Sequence, residues 1–408
     1  MKRVFLTAVC AVAVAATPRA AEEPRFDDVV RNLRNPDAKV RISALRLLRE
    51  SQYPEAVGPI APLVNDPVDQ IQLEAIQTEL SFFLVDKVPE RKRIGLLLEV
   101  RNRGGAAGAF DMGPLAVWPK AAPPTLIQEL LKAVDDENAR VRNEAIYAIG
   151  VVGAAGFPTD SESTLNKALD HYDADVRAAA ARVIGRLDIK SAADTLIKSI
   201  DDSNRDVRYA AMRSLGDIGE SRAVKTLTDQ VIYYGKGEGA SAALQALAQI
   251  ADPSSVPVFV QHLTNKDPLM RRAAAEGLGR VGDKSQVTVL ETGAGNDLEA
   301  TTRAAMAFAL QKLGRRYVSR LVDFLSVDDL SLQVQGYLIE LGEDIEKDLL
   351  PRLHESDEVI RARVVQVLGA IGGEPSLVAL EGLKGKDKDR TVASAVERAV
   401  ERIKLRQG

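Results

Sequence analysis

The sequence is poor in the residues that most often carry chemistry. In 408 residues it has one cysteine, three histidines and one tryptophan, and aromatic side chains make up 4% of the whole. The lone Cys10 cannot close a disulfide within the chain or build a thiolate metal site. His171, His262 and His354 stand about three repeat units apart in the register set out below. Helices packed at roughly 8–10 Å keep any two of them on the order of 25 Å apart, so they cannot share one metal or one catalytic triad. No metal site, cofactor or catalytic residue is expected. The shortage of aromatics leaves an aliphatic, alanine-rich core, which suits closely packed helices. Basic residues are also not in excess: 54 Lys and Arg face 58 Asp and Glu, a formal charge of −4. General nucleic-acid binders are basic, so that class is not expected.

Beyond the N-terminus no apolar run approaches the roughly 20 residues that span a bilayer. The opening "MKRVFLTAVCAVAVAATPRAAEEP" places Lys2 and Arg3 before an uncharged run from Val4 to Ala16, followed by small residues. That is the pattern of a secretory signal, with cleavage expected near Ala20 or Ala21. Val9 stands before Cys10 where a lipoprotein box needs a small residue, so lipidation is not expected. The exported chain would carry 51 basic against 58 acidic residues, about −7, and no cysteine. A periplasmic or secreted location follows, with no membrane span in the mature chain.

The chain repeats itself. "HYDADVRAAAARVIGRLD", "SNRDVRYAAMRSLGDIG" and "NKDPLMRRAAAEGLGRVGD" share one pattern of apolar, basic and glycine positions. With Leu215 as marker, the equivalent positions are Leu48, Leu80, Ile149, Ile184, Leu247, Leu278, Leu310, Leu338, Leu368 and Val400. They recur every 28 to 35 residues except between Leu80 and Ile149, and such a period is the signature of a solenoid. Within one unit Val207, Ala211, Leu215 and Ile218 fall on one helical stripe, with Tyr209 and Arg213 expected to point the other way. Asp37, Asn138, Asp173, Asn204, Asp267 and Asp357 precede the long helices as candidate caps. A turn and a shorter apolar helix complete each hairpin. One hairpin cannot cover its own stripe, so stacking supplies the core.

These units resemble HEAT repeats of the short type named after the phycobilisome lyases, over most of residues 35–407. The match is close in "DADVRAAAARVIGRLD", "NRDVRYAAMRSLGDIG" and "EVIRARVVQVLGAIGG". The resemblance implies an all-α, right-handed α-solenoid of about eleven hairpins. The divisions read from the sequence are a signal peptide (1–21), N-terminal hairpins (22–84), an irregular Gly/Pro-rich insertion (85–124) and a repeat array with a charged C-terminal capping helix (125–408). Deoxyhypusine hydroxylase is also built from such repeats and holds iron with several His-Glu pairs. Here one pair exists, His354-Glu355, so that activity is not expected.

Arg41, Arg142, Arg177, Arg208, Arg271, Arg303 and Arg361 occupy one position of the unit. As the resemblance also implies, they are expected to pair with aspartates in adjoining turns as a structural ladder; a basic track for a polyanion is the other reading. "GKGEGAS" and "RGGAAGAF" lack the Lys-Ser/Thr ending of a P-loop and read as loops. For binding, Tyr147, Arg182, Tyr209 and Arg213 form a candidate concave patch for an acidic partner segment. The insertion offers a second candidate: Phe110 and Trp118 as partly exposed anchors flanked by Arg101 and Arg103, or else a cover over the stacking face of the first two hairpins. The expected function is an exported scaffold that binds a protein or peptide on its concave face without catalysis. The alternatives are an enzyme or enzyme subunit resembling phycobilin lyases and a structural part of an envelope assembly.

Overall fold

The computed structural model describes residues 25–86 and 105–407. The expected signal segment and two candidate contact residues, Arg101 and Arg103, lie outside the described residues. Eleven long helices organise the rest: α1 (Ala38–Ser51), α2 (Asp69–Ser81), α3 (Ala139–Val152), α4 (Ala174–Arg186), α5 (Arg205–Asp217), α6 (Gly237–Ile250), α7 (Pro268–Val281), α8 (Ala300–Lys312), α9 (Asp328–Leu341), α10 (Glu358–Ile371) and α11 (Arg390–Gln407). Each carries one of the eleven markers, and every marker is buried. Shorter α or 3-10 helices connect them and form a second layer, and each long helix packs on the long helices before and after it. The chain is an α-solenoid. Among the described residues no strand forms, and one isolated bridge joins Leu84 to Val117.

The six candidate caps all accept a hydrogen bond from a first-turn amide of the helix they precede. In α5 the stripe Val207, Ala211, Leu215 and Ile218 is buried. Complete burial of one such aliphatic side chain contributes about 1.5–3 kcal/mol. Tyr209, expected to face away from that stripe, is also buried, at 7% exposure, together with Ala210 and Met212. The reason is that α5 is covered by α4 on one side and α6 on the other. A single-stripe reading describes a helix on a surface, whereas a helix inside a stack buries two flanks.

The arginine positions fasten the turns. In all seven units one guanidinium nitrogen donates to the two carbonyls six and five residues upstream, as Arg177 does to His171 and Tyr172. Five also pair with an aspartate of the next turn: Arg41 with Asp66, Arg142 with Asp173, Arg177 with Asp202, Arg271 with Asp297 and Arg361 with Asp387. Bonding to their arginines holds the Asp173, Asp202 and Asp387 carboxyls below the usual carboxylate range. Two depart from the expected pairing: Arg208, because the next turn runs through "YYGKG", donates instead to the Tyr234 hydroxyl at 3.0 Å, and Arg303 keeps only its two carbonyls, since Asp328 of the next turn pairs with Arg363.

The insertion does not interrupt the stack. α2 packs directly on α3. Gln72 donates to Asp136 at 2.7 Å and Asn65 to the Glu129 carbonyl at 2.9 Å, which ties the second hairpin to the third.

Candidate binding surface on the concave face

Two positions of the repeat, two residues before and two after each marker, face the inside of the curve. Contacts that skip a helix identify them. Arg280 on α7 reaches past α8 to Glu340 on α9 with two bonds of 2.9 and 2.8 Å, and Glu276 on α7 accepts from Tyr337 on α9, which stands one residue before its marker. Such reach is possible only on the side where the helices converge. α8 makes room with its alanines, while its Phe308 stacks on Tyr337 with ring centroids 4.5 Å apart.

Read along these two rows from α4 to α9, the concave face carries Arg182, Arg186, Arg213, Asp217, Gln245, Gln249, Glu276, Arg280, Lys312 and Glu340. Its middle is an open polar groove of about 180 Å³ between α5, α6 and α7, lined by Arg213, Asp217, Gln245, Gln249, Arg272 and Glu276. Arg272 is braced by Glu276 at 2.8 Å. Arg213 is exposed and sits 3.4 Å from Glu238. Desolvation by the protein packed around it pushes the Asp217 carboxyl up to about 6, against the pull of Arg186 and Arg213, although the residue itself is exposed on the groove.

The insertion occupies the other part of this face. Its helix Ala106–Asp111 lies on α3 and presents Phe110 and Asp111 to α4. Phe110 is 4% exposed, with its ring 5.4 Å from that of Tyr147 and with the guanidinium groups of Arg182 and Arg186 over it at 5.2 and 3.7 Å. Arg182 pairs with Asp111 and donates to the Tyr147 hydroxyl at 3.0 Å, and Arg186 donates to the Phe110 carbonyl at 2.6 Å. The segment then crosses to the far end of the molecule. The Val85 N–H donates to the Ala116 carbonyl at 2.9 Å and the Trp118 N–H to the Phe83 carbonyl at 2.8 Å. Arg402 of α11 donates to the carbonyls of Leu115 and Val117 at 2.8 and 2.7 Å and lies 5.8 Å from the Trp118 ring. Arg398 pairs with Asp86 at 2.9 Å.

Of the candidate contact residues, the structure therefore brings Tyr147, Arg182 and Phe110 together, with Arg213 one helix further along the same row. Tyr209 is apart from them, packed edge-on against Tyr234 at 5.8 Å. Phe110 is not an exposed anchor, because two arginines and α3 enclose it; Trp118 is half-buried. Nor do the described residues of the insertion cover the stacking face of the first hairpins, since that face is taken by the contact of α2 with α3. Sequence reasoning missed the row two residues after the marker, from Arg186 and Asp217 to Glu340 and Arg402. The signal was present in the repeat register, where this row is polar in most units. Among the described residues no three His, Cys, Asp or Glu side chains are placed to hold a metal ion, and no helix is long and apolar enough to cross a membrane.

Residues 161–232 and 236–311 match the family model described as HEAT repeats. No protein of curated function matches the sequence. Among solved structures, an engineered protein is 18% identical over 93% of this chain and 98% of its own, with a TM-score of 0.40. The Escherichia coli protein YibA is 18% identical over 74% of this chain and 100% of its own, also at 0.40. A chain from the complex of CpcE and CpcF of phycocyanin lyase from Nostoc sp. is 20% identical over 80% of this chain and 99% of its own, at 0.34. Identities this low transfer no activity.

Proposed function

We propose that this HEAT-repeat protein is an exported, non-catalytic scaffold that holds an extended protein or peptide segment in its concave groove. The observation that carries the reading is the open polar groove of α5–α7 in a chain whose net charge is negative. Gln245 and Gln249 each bring a donor and an acceptor, the combination needed to pair with the main chain of an extended segment. Arg213 and Arg272 are matched in the lining by Asp217 and Glu276, so the groove offers charges of both signs at fixed places along a bound segment. Solenoids offer this kind of continuous concave surface to partners. The N-terminal sequence supports export.

The test is capture from the native cell envelope. Reversible crosslinking with the wild-type chain is expected to retain a partner that is lost from the double variant Arg213→Glu, Gln249→Glu, both exposed positions whose replacement leaves the core intact. Equal capture by the two proteins would contradict the groove, and recovery of the chain from the cytoplasm with residues 1–21 intact would contradict export.

A further inference from the structure

The contacts of Phe110 and Asp111 have the form of a recognition site rather than of repeat packing. The concave face is made by the long helices except where the insertion lies on it, and the stack is continuous without that segment, since α2 meets α3 directly; the segment adds its own buried Ala106, Ala109 and Phe110 on top of α3. The pocket is shaped to its occupant. Gly150 of α3 lies under the Phe110 ring, where a Cβ would come within 2.7 Å of ring carbon Cε2, so any larger residue at that position would expel the ring. Arg182 and Arg186 cover the ring's other side, and the same two groups take up the carboxylate of Asp111 and the main-chain carbonyl of Phe110. Ring, main chain and following carboxylate are thus each matched by a separate feature. Gly105 and Gly113, with φ of 74° and 80°, bracket the segment and set it off from its flanks.

We propose that the α3–α4 part of the concave face is a binding site for a partner segment that presents, from one helical turn, an aromatic side chain followed by a carboxylate, and that Phe110–Asp111, the end of the helix Ala106–Asp111, is a tethered stand-in for it. The inference rests on the reading of the concave face as the binding side, and it names the chemistry of what binds there. Tethering gives the internal segment an effective concentration on the order of millimolar. A short external segment with the same contacts would therefore compete poorly, whereas one that continues along the adjoining groove of α5–α7 would gain contacts the stand-in lacks.

The experiment uses the full chain and a fluorescein-labelled nonapeptide copying residues 105–113, read by fluorescence anisotropy. The double variant Phe110→Ala, Asp111→Ala is expected to bind the peptide at least tenfold more tightly than wild type does. Replacing the peptide's phenylalanine by alanine, or adding Arg182→Glu and Arg186→Glu to the protein, is expected to abolish that binding. Asp111→Asn alone, which keeps the ring in place, is expected to give a smaller gain. Absence of saturable binding to either folded variant, or binding indifferent to the peptide's phenylalanine, would overturn the proposal. If neither variant folds, the segment is a core element and the proposal falls. Envelope capture that depends on Arg213 and Gln249 while the peptide fails to bind would sink this inference and leave the proposed function standing.

Discussion

Glu79 is the residue most at odds with its surroundings. It lies on α2 at 1% exposure, and among the described residues neither carboxylate oxygen has a hydrogen-bond partner. Burial raises its carboxyl well above the usual range, so the folded chain holds the proton that the unfolded chain releases. An acid whose folded pKa is raised costs stability as pH climbs above its unfolded value of about 4.3. An unsatisfied buried polar group costs about 1–3 kcal/mol. Glu79→Leu, of similar volume, is therefore expected to raise the melting temperature, by more at pH 8 than at pH 5; thermal melts at both values check it, and a lower or pH-independent change would count against the burial. The ladder is the contrasting case. There five of the seven arginines have an aspartate partner, and the pairing was legible because aspartate and arginine recur at fixed positions of the unit. Arg208 departs from the aspartate pairing because the following turn has Tyr234 in place of an aspartate, a substitution visible in the sequence whose consequence needs the three-dimensional turn.

At the scale of the element, the glycine after the marker explains how the long helices come so close. A Cβ on Gly216 would lie 2.8 Å from the Ala246 Cα, and one on Gly279 would lie 2.6 Å from the Ala309 Cα. Backbone cannot yield as a flexible side chain can. Overpacking of this sort costs about 1–3 kcal/mol and outweighs the gain in helix propensity from Gly to Ala of about 1 kcal/mol. Gly336 on α9 has nothing within 4 Å, and there propensity decides. Gly216→Ala is expected to lower the melting temperature and Gly336→Ala to raise it; the same sign for both would contradict the close approach. The register, the caps and the marker burials were readable in advance because they are local and repeated, the markers eleven times and the caps six. The burial of Tyr209 was not, since the period shows one face of a helix and the stack covers two. The inward row from Arg186 to Glu340 was not read either, because its residues vary in charge and so lack the constancy by which a repeat position is noticed.

The whole molecule is a curved stack whose inside is bridged. The insertion runs from α3 and α4 to α11, so that residues some 285 positions apart in sequence meet where Arg402 binds the carbonyls of Leu115 and Val117. No periodic signal announces a contact made once, which is why the sequence placed the insertion only as an irregular stretch. Among the described residues no carboxylate pairs with Arg402, and burial lowers its guanidinium to about 10, still protonated at neutral pH. It therefore acts as a charged donor to main-chain oxygens. Arg402→Ala is expected to release the segment around Pro114–Trp118 to limited proteolysis before the repeats unfold, with little change in helix content. Unaltered cleavage would mean that the bridge is held by other contacts.

Binding along the inner side of the curve is the central claim, and one measurement addresses it most directly. A photocrosslinking residue placed at Gln249 samples the groove, one at Lys225 samples the shorter-helix layer, and one at Tyr172, 81% exposed, samples the edge of the turns. Irradiated in the native envelope, the chain labelled at 249 is expected to form a discrete adduct with a partner, and the chains labelled at 225 and 172 are not. Adducts from position 225 or 172 with none from 249 would place binding on the outside of the solenoid and contradict the account.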